Sequence, residues 1–150
     1  MLLTIKREFD FALRICAYLA HHYKRGPIPI SAISRKLLIT RPFATKIVYQ
    51  LKTGGIVATV QGKEGGVYLN HNPERLTLMS ILQGLGPVVT TNDCVQDPTF
   101  CPLPPTCAIH SFFIDMEEEI IHRLSNRTIA EFAFSDADFD PRKSPPDPAG

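Results

Sequence analysis

From about Lys6 to Tyr23 the apolar residues Phe9, Leu13, Cys16, Ala17 and Ala20 return at helical spacing, the period of a helix with one face turned inward. Gly26-Pro27 ends that run. Ser31 is then placed to cap a short helix through Leu37, Leu38-Ile39 make a brief turn, and Thr40 caps a third helix. That third helix carries Pro42 in its first turn and stops at Gly54-Gly55. Two short helices on a tight turn are the plan of a helix-turn-helix. The second of them, rich in Arg41, Thr45, Lys46, Gln50 and Lys52, suits a major groove. Ile56-Val57-Ala58-Thr59-Val60 and Val67-Tyr68-Leu69 read as strands around the glycine-rich tip Gln61-Gly62-Lys63-Glu64-Gly65-Gly66, which makes a wing. Gln61 and Lys63 are placed there to reach phosphate or a minor groove.

The pattern continues with less regularity. Thr77 caps a short helix through Leu85, and the stretch from Gly86 to Thr106 holds too much Pro, Thr and Asp to be regular. From Cys107 to about Leu124 a further helix places Ile109, Phe112, Phe113, Met116, Ile120 and Leu124 on one stripe. One small domain does not easily bury that whole stripe, so the helix is read as a dimerisation element, with packing on its own head as the alternative. Thr128-Ile129-Ala130-Glu131 has capping-box spacing and predicts a last short helix. The expected fold is mainly α with a small β-hairpin wing. It comprises a winged helix-turn-helix over 1–75, a ligand loop and long dimerisation helix over 76–134, and a mobile acidic, proline-rich tail over 135–150.

Charge sharpens this division. Residues 1–75 hold 12 Lys and Arg against 4 Asp and Glu, whereas residues 76–150 hold 4 against 11. A polyanion partner therefore belongs to the first half. The 150 residues contain no apolar run near twenty, which excludes a helical membrane span. The start Met1 to Arg7 runs straight into the amphipathic pattern without a secretory leader, so a cytoplasmic protein is expected. No nucleophile–base pair or nucleotide motif points to an enzyme or a small-molecule substrate.

Three cysteines within fourteen residues, Cys94, Cys101 and Cys107, followed by His110, supply the candidate chemistry. In a reducing compartment such thiols are metal ligands or redox groups rather than a disulfide framework. Thiolates and an imidazole suit zinc, iron or an iron–sulfur cluster. Structural zinc is the strongest metal alternative, although the intervals of six and five residues differ from the paired C-x2-C of many zinc sites. A cluster-free thiol switch on the same head is another. Cys16, among apolar neighbours, reads as a small core residue.

The start Leu3-Thr4 with Phe11-Ala12-Leu13-Arg14, the helix-turn-helix from Ile30 to Lys52, the wing from Gln61 to Leu69 and the cysteine trio together resemble the IscR/NsrR/RirA family of iron–sulfur winged-helix regulators, over residues 2–134. The resemblance implies a homodimer on a palindromic operator in double-stranded DNA. Its affinity would be controlled by a cluster that senses iron, redox state or nitric oxide, with repression expected. It implies Cys94, Cys101 and Cys107 as ligands. Cys107 followed by His110 resembles the pattern of a 2Fe–2S site, which is favoured over 4Fe–4S. Asp10 falls where some sensors of the family offer a carboxylate to the partner's cluster, while its spacing from Arg14 equally suits an exposed ion pair. His110 alternatively caps or packs its own helix. Thr40, Arg41, Phe43, Thr45 and Lys46 match positions that usually face DNA, with Phe43 either meeting a thymine methyl or packing within the head. Two departures stand out: the Cys94–Cys101 interval is one residue longer than in the resembling pattern, and Gln61 occupies the place where an arginine often enters the minor groove.

Overall fold

The head is built around its first helix, α1 (Arg7–His21), whose Ala12, Ile15, Cys16, Tyr18 and Leu19 are all buried. A helix buried on more than one face needs neighbours on several sides, and α1 packs against the third helix, the second strand, the fourth helix and a turn near the C-terminus. The computed structural model describes residues 6–87, 94, 97, 99, 101–103 and 106–143. The Leu3-Thr4 start, most of the expected loop from Gly86 to Thr106 and the end beyond Lys143 lie outside them.

Helix α2 (Ile30–Leu37) begins one residue before the expected cap. Pro29 stands at the N-cap in extended geometry, with φ of −60° and ψ of 140°, while Ser31 is exposed and makes no cap bond. The proline ring already sets the backbone entering the helix, and Ile30 turns in to pack on the core, so no side-chain cap is required there. Leu38 closes α2 in the left-handed region at φ of 55°, and its N–H bonds back to the carbonyls of Arg35 and Ser34. The Ser34 hydroxyl donates to the Ile39 carbonyl at 2.7 Å, which fixes the turn into α3 (Arg41–Thr53). Thr40 caps α3 as expected, its Oγ1 accepting from the Phe43 N–H at 3.4 Å.

Strands β1 (Val57–Val60) and β2 (Gly66–Leu69) form the antiparallel wing in the register Val57–Leu69, Thr59–Val67 and Val60–Gly66. The wing is tied to the entry of α2 by an isolated bridge in which Ile28 and Val67 exchange two backbone hydrogen bonds of 2.8 Å. Gly66 is required at that crossing, because a Cβ there would run into the Ile28 carbonyl.

Helix α4 (Leu78–Gly84) is capped by Thr77, which accepts from the Ser80 N–H at 3.1 Å. Its last residue meets the end of α3 backbone to backbone, since a Cβ on Gly54 would collide with the Gly84 carbonyl. Helix α5 (Ala108–Ser125) contacts α4 but buries no residue of its own. The chain then returns, with the Ile129 N–H donating to the Leu76 carbonyl at 2.8 Å. The capping box of Thr128 and Glu131 is present, yet it opens a four-residue 3-10 turn, Ile129–Phe132, and not an α-helix.

From Ser135 to Phe139 the chain is held against the head, so the start of the expected mobile tail is ordered. A second 3-10 turn, Asp136–Asp138, lies against α1 and α2: the Tyr18 hydroxyl donates to Asp136 at 2.8 Å, and Lys36 Nζ stands 3.1 Å from the same carboxylate. Phe134 and Phe139 pack around the Tyr18 ring at centroid distances of 5.7 and 6.0 Å. Acidic residues and prolines dominate this stretch, but Phe139 within it and Phe134 just before it supply the apolar contact that holds it down at least to Phe139.

Candidate DNA interface and cysteine segment

Helix α3 divides cleanly into two faces. Ala44, Ile47, Val48 and Leu51 are buried, while Arg41, Pro42, Thr45, Lys46, Tyr49, Lys52 and Thr53 face outward. The Thr40 cap and Pro42 fix the helix start, and the bonded α2–α3 turn fixes its angle to the head. At the wing Gln61, Gly62, Lys63 and Glu64 are exposed, and Gly62 adopts φ of 107°, which a side chain would strain.

Among the expected contact residues, Thr40, Arg41, Thr45, Gln61 and Lys63 are exposed on this surface. Lys46 is exposed but tied to Glu8 of α1 at 3.2 Å. Hydrogen bonds from its own backbone and from Lys46 hold the Glu8 carboxyl below the usual range. Phe43 takes the packing role: its ring meets Phe11 edge-on at 5.6 Å, under the Arg7 guanidinium at 4.7 Å. Gln50, counted with the polar face by composition, is half-buried, and its amide oxygen has no hydrogen-bond partner among the described residues. Tyr49 was missed. It is 69% exposed in the middle of the outward face, a position that a helical projection reveals and a count of charges does not.

The cysteine segment has a different character. Cys94, Cys101 and Cys107 are free thiols of intermediate exposure, and Cys107 stands at the N-cap of α5 with His110 in its first turn. As a donor set, three thiols and an imidazole suit an iron–sulfur cluster or zinc. Among the described residues, however, no group of three His, Cys, Asp or Glu side chains comes together to hold a metal ion. Asp10 is engaged with Arg14 at 2.9 Å, the ion-pair alternative. Cys16 is fully buried in α1, and desolvation drives its thiol pKa far upward, which makes it inert core. No helix among the described residues is long and apolar enough to cross a membrane.

A helix-turn-helix, a hairpin wing beside it and an outward helix face carrying Arg41, Thr45 and Lys52 define a winged-helix DNA-binding transcriptional regulator. The Rrf2 family model, described as an iron-dependent transcriptional regulator, matches residues 5–134, and the chain belongs to that family. It is 28% identical over 131 residues to the HTH-type transcriptional regulator IscR of Serratia proteamaculans, an alignment covering 87% of this chain and 78% of that one. The IscR of Yersinia enterocolitica is similar to the same extent. Among solved structures, the fold matches CymR, the global cysteine regulator of B. subtilis, with a TM-score of 0.74 at 21% identity, covering 88% of this chain and 97% of that one. It matches T. potens IscR with a TM-score of 0.71 at 19% identity, covering 87% and 86%.

Proposed function

We propose that this Rrf2-family regulator acts as a homodimeric repressor on a palindromic operator, and that the segment from Cys94 to His110 makes its DNA affinity responsive to an iron–sulfur cluster. The observation that carries the reading is the junction at Cys107. The donor segment runs directly into α5, whose Ile109 and Phe112 are 60% and 62% exposed and whose Ile120 is also uncovered. An apolar helix face left open in one chain is covered when two copies pair along it. The iron dependence in the family's description supports iron over zinc.

In this reading α5 pairs the two chains, each α3 enters a major groove with its N-terminal end first, and Lys63 and Gln61 of each wing follow the flanking backbone. Cys94, Cys101 and Cys107 would hold the cluster, with His110 as the fourth donor of a 2Fe–2S site and Asp10 of the partner as its competitor. When bound, the cluster supplies a redox- and nitric-oxide-labile crosslink. The residues of the segment set the distance between the α4 end and the α5 start, and with it the spacing of the two heads. Moving an operator from almost fully bound to almost fully free requires about 5.5 kcal/mol of differential affinity.

Anaerobic purification followed by Mössbauer spectroscopy, with iron and sulfide counted per chain, tests the sensor. A cluster signal that is lost in Cys101→Ala supports the assignment. Unchanged iron in that variant sinks the ligand set, and absence of iron and sulfide after reconstitution favours a zinc or thiol switch on the same head.

A further inference from the structure

We propose that Tyr49 is a DNA-contact residue, donating its phenol hydroxyl to a backbone phosphate at the rim of the groove that α3 enters. The inference deepens the operator-binding reading and rests on it. At 100° per residue the outward positions 41, 52, 45, 49, 42, 53 and 46 fall in that order across an arc of about 140°, and Tyr49 is the central one of them.

Neither stability nor folding explains a tyrosine there. Its ring is 69% exposed and so gains little from burial, and tyrosine is a poorer helix former than the Arg or Lys around it. Its hydroxyl has no partner among the described residues. A large amphipathic ring held open on a helix that faces a polyanion is placed for contact.

Position along the helix selects the kind of contact. Tyr49 lies about 12 Å up the axis from Arg41, close to the roughly 12 Å width of a major groove. With the N-terminal residues of α3 at the base edges, Tyr49 stands at the level of the flanking sugar–phosphate chain. A phosphate oxygen accepts from the phenol O–H there, and the ring covers the adjoining deoxyribose. Because the phenol is neutral, it releases no counterion.

The test compares Tyr49→Phe, Tyr49→Ala and Lys52→Ala with the wild-type chain by fluorescence anisotropy. Two duplexes of about 30 bp serve as probes, one selected from a random pool by the wild-type protein and one scrambled, at roughly 50 to 200 mM KCl. Circular dichroism and thermal melting confirm that each variant folds. Tyr49→Phe is expected to weaken binding about tenfold on both duplexes, and Tyr49→Ala about thirtyfold, with the slope of log K against log salt unchanged. Lys52→Ala calibrates the slope, which falls by about 0.9 when one phosphate contact by a cation is lost. Tyr49→Phe binding within about twofold of wild type overturns the hydroxyl contact, and a slope change in the tyrosine variants overturns the neutral-contact mechanism. Wild-type protein that selects and binds no duplex overturns the operator reading itself, and this inference with it.

Discussion

Replacing Gly66 by alanine drives a methyl group into the strap that joins the wing to the helix-turn-helix. The added Cβ collides with the Ile28 carbonyl and crowds the Pro29 nitrogen at 2.7 Å, so either the segment before α2 or strand β2 has to move. Both 2.8 Å hydrogen bonds between Ile28 and Val67 are at stake, and Val67 is fully buried, so its freed N–H and carbonyl find no water. Two net hydrogen bonds at about 1 kcal/mol each, together with the cost of stranded buried groups, give a destabilisation of about 2–4 kcal/mol. With a urea slope of about 1.5 kcal/mol per molar, the unfolding midpoint falls by about 1.3–2.7 M while the slope stays constant. Gly62→Ala is the control. At φ of 107° but with open space around it, it suffers backbone strain alone, about 1–2 kcal/mol. Equilibrium urea unfolding followed by circular dichroism measures both. A Gly66→Ala midpoint equal to wild type refutes the claim that wing and helix-turn-helix are locked through this crossing.

Three further outcomes are expected. Leu38→Gly relieves a left-handed leucine that is 58% exposed and loses little burial; it should gain about 0.5–1 kcal/mol, raising Tm by about 2–4 °C in a calorimetric scan. On the proposed pairing, Phe112→Asp should convert a dimer to a monomer in sedimentation equilibrium while leaving the helical circular dichroism intact, because that ring is 62% exposed within one chain and its ring contact is with the neighbouring Phe113. The Tyr18 hydrogen bond, aided by Lys36, holds the Asp136 carboxyl below its ordinary value of 3.8. Its contribution to stability is therefore complete at neutral pH and lost as the pH falls below about 4 through the lowered value. Asp136→Asn should flatten that part of the urea-midpoint profile, and an unaltered acid limb would refute the linkage.

Periodicity carried most of the head. The apolar steps of α1, the Thr40 cap with Pro42 behind it, and the glycine-rich tip between two short apolar runs are local signals, and the structure places α1, α3 and the wing within a residue or two of them. Ser31 misled because a serine before an apolar run looks like a cap, whereas Pro29 had already fixed the entry angle. The stretch after Ser135 misled for a different reason. Its composition is that of a tail, and the contacts of Phe134 and Phe139 with Tyr18 span more than a hundred residues, so no window of sequence contains them. At the candidate site, spacing offered Cys94, Cys101, Cys107 and His110 as a proposed donor set, but the convergence of such donors depends on three-dimensional placement, including any partner subunit, which spacing does not encode.

The meeting of Gly54 and Gly84 has a mechanical meaning. Side chains between two helices act as cushions, because they change rotamer and absorb small displacements before the backbones move. Here no cushion exists. The last turn of α4 bears directly on the end of α3, and the strand of chain leaving α4 leads toward the cysteines. A displacement of α4 at this point therefore meets the backbone at the end of α3 with no side chain between them to change rotamer first. A methyl group at Gly54 would wedge the two helices apart, whereas one at Gly84 would press on the Ile56 side chain instead.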